Sequence, residues 1–238
     1  MSPKKKPNKK KEKPVVVPPI SEEKVENSFE AQEAETFQKI GNYIPYRENQ
    51  HAGYMENFIA QFNVKPEHHV LDVGCGIGKN AAYLCDQGIN VHGVDIVNTL
   101  KQDRYSHQNE NTDTYQYYRN KFHFTQDVCW LMKPDPVDFV VCTYLLENLP
   151  FIKVEPTLYL ISKAMRKGAF FSISNELEPH GPQHLNTQLH LTVQSGRYWA
   201  DVLTKYWRIS WDCSVSNSLL VYAYPRKENN SDAWPTGY

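Results

Sequence analysis

The chain has 238 residues, 40% hydrophobic, 13% aromatic and 22% charged, which describes a globular domain long enough for a real core. No apolar stretch is long enough to cross a membrane, and the charged N-terminus lacks the apolar segment of a signal peptide, so an intracellular, cytoplasmic protein is expected. The net charge of −1 hides an asymmetry: residues 1–13 carry seven lysines and one glutamate, +6, which leaves −7 on the body. A basic tail can hold nucleic acid or an anionic surface without sequence choice, or simply be solvated, whereas an acidic body argues against a broad nucleic-acid groove.

Residues 1–20 are rich in Lys and Pro and read as an extended or disordered tail. Residues 21–64 read as two helices that pack on or cap the core. The first opens at Ser21-Glu22-Glu23, follows the stripe Val25, Phe29, Phe37 and Ile40, and stops at Gly41. The second is marked by Tyr54, Met55, Phe58, Ile59 and Phe62 at helical spacing.

The core, residues 65–225, alternates strands and helices. Strands are expected at 69–73, 90–95, 122–125, 137–142 and 169–174, with two more near 209–214 and 219–224. Helices are expected from Lys79 toward Gly88, over Pro156–Arg166 with a stop at Gly168, and over 196–205. The polar, tyrosine-studded stretch 101–120 reads as surface, and residues 226–238 as a C-terminal tail. This alternation predicts an α/β, doubly wound, mostly parallel sheet with helices on both faces, whose ligands bind at the carboxyl ends of the strands.

Five cysteines, at 75, 85, 129, 142 and 213, include no C-x-x-C pair. They read as reduced thiols rather than a disulfide set or a zinc site.

The most informative segment is Val70-Leu-Asp-Val-Gly-Cys-Gly-Ile-Gly78, a strand ending in a glycine turn, followed by a helix and a second strand closed by Asp95. Gly74 permits the tight turn, Gly76 lets a ligand approach the backbone, and Gly78 lets the helix pack near the strand. Residue 79 is Lys where the dinucleotide fingerprint wants Gly, which disfavours a nicotinamide-dependent oxidoreductase. An acid, Asp72, lies inside the first strand, and Asp127 follows the third.

In these features the chain resembles the class I S-adenosylmethionine-dependent methyltransferases. The resemblance covers about residues 65–225 and implies a Rossmann-like sheet of seven strands with the last antiparallel. It implies that Asp72, Gly74, Cys75, Gly76 and Gly78 line the cofactor, that Asp95 with the adjoining Ile96 meets the ribose, and that Asp127-Val128 recognises the adenine. It also implies that Thr143, after the fourth strand, lies near the methionine end. Asp72 is expected either to orient the glycine turn or to meet the cofactor's ammonium. Relatives often carry Glu-His where this chain has Glu147-Asn148, so no role of that His transfers.

The acceptor side is less marked. His180, His184 and His190 lie with Glu176 and Glu178 after the fifth strand, at spacings that make no standard metal set. His190 and Glu147 are the candidates for a catalytic role. Tyr198, Trp199, Tyr206, Trp207 and Trp211 are expected in or against the core rather than stacking on a base. The Asn/Asp-Pro-Pro-Tyr/Phe motif of base amino-methyltransferases is absent, as is the Pro-Cys of the cytosine C5 enzymes. The expected acceptor is therefore an O or N atom of a small molecule. Two alternatives stay open: a nucleic acid or protein acceptor recruited by the lysine tail, and a non-catalytic scaffold.

Overall fold

The computed structural model describes residues 31, 34–36, 54–76, 78–96, 122–127, 129, 132–133, 135–177, 188–212 and 218–226. The lysine-rich tail, residues 101–120, His180, His184, Cys213 and the C-terminal tail lie outside them. Most of the first expected N-terminal helix does too, although residues 31 and 34–36 are helical.

In chain order the elements are α1 (Met55–Phe62), β1 (His69–Val73), α2 (Lys79–Asp86), β2 (Asn90–Asp95), β3 (Phe122–Gln126), β4 (Val137–Thr143), a 3-10 turn (Leu146–Asn148), α3 (Phe151–Ala164), β5 (Met165–Ser174), α4 (Gly196–Leu203), β6 (Arg208–Asp212) and β7 (Ser218–Tyr224). The strands form one seven-stranded sheet in the order β3-β2-β1-β4-β5-β7-β6. β1 to β5 pair in parallel, and β7 runs antiparallel between β5 and β6. The expected doubly wound sheet with an antiparallel last strand is what forms.

Strand periodicity builds the two faces. Val70, Phe139, Val141 and Phe170 point to one side, where they pack with Met55 and Phe58 of α1 and Ala81, Leu84 and Cys85 of α2. Leu71, Val73, Val140, Cys142 and Phe171 point to the other, against Leu158 and Ile161 of α3 and Trp199 and Leu203 of α4. Trp199 and Trp207 are buried as expected, the latter with its ring 5.3 Å from Phe171. Trp211 departs from the expectation: it is 49% exposed on edge strand β6. Cys75, Cys85, Cys129 and Cys142 are buried free thiols.

The helix expected over Pro156–Arg166 instead runs Phe151–Ala164 with Pro156 inside it. The break comes at Pro150, whose ψ of 142° is extended. The donor that Pro156 lacks would have met the carbonyl of Ile152, a residue 77% exposed, where solvent can replace it. Met165–Gly168, expected to end the helix, opens β5. Gly168 acts as a packing contact, not a helix stop, because a Cβ there would overlap the Phe62 ring.

Candidate active site

Parallel strands β1 to β5 present their carboxyl ends at one edge of the sheet, and the expected site residues gather there. The glycine turn is left-handed at Gly74, Gly76 and Gly78, with φ of 71°, 51° and 80°. At Gly74 a Cβ would also come within 2.9 Å of Leu145, so this position excludes a side chain twice over. The turn is tied to β2: the amides of Gly74 and Cys75 donate to the Val94 carbonyl at 2.8 and 3.2 Å. Gly93 leaves room for the Cys75 sulfur, which would lie 2.8 Å from a Cβ there. Burial, then the nearby Asp95 and Asp72 charges, push the Cys75 thiol well above its usual range, so it remains a thiol.

Of the two acids, Asp95 orients the turn. Its Oδ2 accepts from the Gly76 amide at 2.8 Å. Its own carbonyl accepts from the Asp127 amide at 3.0 Å, and the Ile96 carbonyl accepts from the Gln126 side chain at 3.1 Å. These bonds bring Asp95, Ile96 and Asp127 to one lip of the site; Val128 lies outside the described residues. Asp72 is 0% exposed and neither of its carboxylate oxygens makes a hydrogen bond of full geometry. Burial first, and repulsion from Asp95 second, raise its pKa to about 7, with Asn80 and the Ala81 amide opposing. A buried carboxylate with no cation beside it among the described residues suits a ligand that brings one.

Across the site, the Thr143 Oγ1 accepts from Asn80 Nδ2 at 2.8 Å, clipping β4 to the first turn of α2. Tyr144 follows with φ of 52°, rare for a residue with a side chain. Its amide donates to the Ser172 carbonyl at 2.8 Å, and its carbonyl accepts from Asn148 Nδ2 at 2.7 Å. Asn148 thus holds this turn. The Tyr144 hydroxyl lies 3.4 Å from that of Tyr54 and 3.3 Å from Ser218 Oγ. Burial and Tyr144 push the Tyr54 phenol up to about 12, so it stays neutral. No feature of the sequence announces Tyr54 or Ser218 as site residues, because each arrives from an element distant in the chain, whereas Asn80 lies two residues beyond the glycine turn.

His190 and Glu147 come into one network. Glu147 is 0% exposed. Its Oε1 accepts from the Ser174 amide at 2.9 Å, and its Oε2 has no hydrogen-bond partner. Burial raises its pKa to about 8. His190 is half-buried, and its Nδ1 donates to the Glu176 carbonyl at 2.5 Å. Among the described residues no group of three or more His, Cys, Asp or Glu could hold a metal ion, and no helix is long and apolar enough to cross a membrane.

Comparison with known proteins places this geometry. The family described as methyltransferase domain matches residues 46–210. No curated protein matches the sequence. Solved structures with the same fold include the Burkholderia thailandensis 1,6-didemethyltoxoflavin-N1-methyltransferase with 1,6-didemethyltoxoflavin and S-adenosylhomocysteine bound. It is 16% identical, with 90% of this chain and 94% of that chain covered and a TM-score of 0.61. The magnesium protoporphyrin IX methyltransferase of Synechocystis PCC 6803 with S-adenosylhomocysteine is 15% identical, with 86% and 99% covered and a TM-score of 0.59. A third, from Haloferax volcanii, is a complex between the Trm112 methyltransferase activator and a methyltransferase, 16% identical, with 83% and 99% covered and a TM-score of 0.62. The sheet order, the glycine turn and the matched residues agree, and the chain belongs to the methyltransferase-domain family.

Proposed function

We propose that this protein transfers a methyl group from S-adenosylmethionine to an O or N atom of a small molecule. The observation that carries the reading is the pairing of a backbone-lined glycine turn with two carboxylates in different settings: Asp95 hydrogen-bonded to the turn, and Asp72 buried with neither oxygen in a hydrogen bond of full geometry. Such a site offers no lysine or arginine within the turn for phosphates and suits a ligand carrying a cation and a free diol. Asp95 and Ile96 would hold the ribose, Asp127 and Val128 the adenine, Gly74 to Gly78 with Cys75 the amino-acid end, Asp72 its ammonium, and Thr143 would close the methionine side.

When bound, the cofactor supplies an already activated methyl group on a cationic sulfur. The residues then need mainly to position the acceptor in line and to exclude water. An acceptor that must lose a proton also needs a base, and His190 fits that role. A carbonyl cannot donate, so Nδ1 carries the proton toward Glu176 and the lone pair of the neutral ring falls on Nε2. The acidic body and the small-molecule acceptors of the two structural neighbours named above support a small-molecule acceptor.

Calorimetric titration with S-adenosylmethionine and S-adenosylhomocysteine, with NAD as control, tests the reading. Micromolar affinity for the first two and none for NAD is expected; no binding of either puts a scaffold role first. The lysine tail favours one second reading, a macromolecular acceptor. Deleting residues 1–13 distinguishes them: a salt-sensitive loss of activity supports the second, and unchanged activity the first.

A further inference from the structure

We infer that Glu147 is a positioning residue: a buried bracket that fixes the place and tautomer of the His190 imidazole by holding the two segments that support it. The inference deepens the reading of His190 as the acceptor's base and rests on it.

Glu147 reaches the His190 support from both sides. Its side chain accepts from the Ser174 amide, and Ser174 Oγ donates to the Glu176 carbonyl at 3.3 Å. That carbonyl is the acceptor that orients His190 Nδ1. On the other side, the main-chain carbonyl of Glu147 accepts from the Thr192 amide at 2.9 Å, two residues beyond the imidazole. Thr192 Oγ1 then donates to the Leu149 carbonyl at 2.6 Å. The 3-10 turn therefore grips segments 174–176 and 190–192 at once.

The other roles open to Glu147 fit less well. Its one hydrogen-bonded oxygen is committed to the Ser174 amide rather than to an acceptor. As a stabiliser alone it is a poor choice, because one buried oxygen lacks a hydrogen bond and a buried unmade bond is a cost. What the side chain supplies is one acceptor at a fixed point, the Ser174 amide. A glutamine oxygen at the same place would do the same work, and an apolar side chain of similar length would not.

This contrast defines the test, which needs no acceptor substrate. His190 is one of nine histidines, so its ring resonances are assigned by their loss in His190→Asn. Ring nitrogen and carbon shifts are then followed against pH in the wild type, Glu147→Gln and Glu147→Met, each saturated with S-adenosylhomocysteine or, if that does not bind, alone. Glu147→Gln should keep the Nδ1–H tautomer. Glu147→Met should give the mixed tautomers of a free histidine and speed amide exchange at Ser174 at least about tenfold. If Glu147→Met does not fold, Glu147→Asp, which withdraws the acceptor by one methylene, should show the same loss. A His190 spectrum unchanged in the folded Met or Asp variant overturns the inference, as does one equally disturbed by Gln.

The reading beneath it fails separately. Once an acceptor is in hand, His190→Asn with full turnover removes the base while leaving the positioning result intact. If His190→Asn is inactive, Glu147→Met should lower kcat without changing the KM for S-adenosylmethionine, and Glu147→Gln should restore it.

Discussion

The two halves of the site are built by different means. The half proposed to hold the cofactor, from Gly74 to Asp127, rests on backbone: left-handed glycines, amides donating to the Val94 carbonyl, and one carboxylate at the end of β2. The half proposed to face the acceptor, around Tyr144, Glu147 and His190, rests on side chains that bridge distant segments. Ser174 lies 27 residues from Glu147, Ser218 lies 74 from Tyr144, and Tyr54 lies 90 from Tyr144. In the first half Gly74 and Gly93 leave no room for a side chain. The second can be rebuilt by replacing side chains on the same frame, which is how one fold comes to serve many acceptors.

Substitutions can break or sharpen that contrast. The largest effect is expected from Gly74→Ala, which forces a side chain into φ of 71° and against Leu145. Strain of about 1–3 kcal/mol in the turn should lower affinity for S-adenosylhomocysteine by roughly ten- to a hundredfold in calorimetry. A variant that binds normally would show that the turn is not rigid.

Asp95→Ala should weaken cofactor binding by about 1–3 kcal/mol. Asp95→Asn, which keeps an oxygen for the Gly76 amide, separates the two tasks of this residue. If Asn binds like wild type, holding the turn is what matters; equal loss in both points to the charge on the ribose. Unchanged binding in both variants removes the ribose assignment.

The two buried acids give the protein a pH signature. Burial raises Asp72 to about 7 and Glu147 to about 8, so the folded state keeps protons that the unfolded chain has released. The unfolded state then binds fewer protons, and the stability each acid contributes is complete below about pH 4 and lost as pH rises through its folded value. Urea unfolding should show stability falling between about pH 4 and about pH 8, by several kcal/mol for the two acids together. Glu147→Gln should flatten the upper part of that slope, and a slope that persists would show that Glu147 is ionised in the folded protein.

The smallest effect is expected at the clip between halves. Thr143→Val removes the acceptor for Asn80 and should lower stability by about 1 kcal/mol, read from thermal unfolding, with at most a few-fold loss of cofactor affinity. A larger loss of affinity would make Thr143 a direct contact of the ligand.

Much of the cofactor half was legible because its signals are local. β1 and β2 fall where their apolar runs end, at Val73 and Asp95, and the turn between β1 and α2 needs glycine for reasons of backbone alone. Pro156 misled because proline at a helix start and proline tolerated inside a helix look alike in sequence; the exposure of Ile152 decides between them. Trp211 misled because strand alternation does not say that β6 is the edge of the sheet. Nor does a tyrosine codify a φ of 52°: the Tyr144 turn exists because Ser172 and Asn148 hold its backbone.

The sequence by itself determined the sheet, the glycine turn and the acids that border it, since each depends on residues close together in the chain and on the periodicity of strands and helices. Only the tertiary structure decided that Asp95 rather than Asp72 grips the turn, that Glu147 is buried, and that His190 is held through Glu176. Those outcomes depend on which polar groups are withdrawn from water together. That is set by how the segments pack, and no single segment contains it.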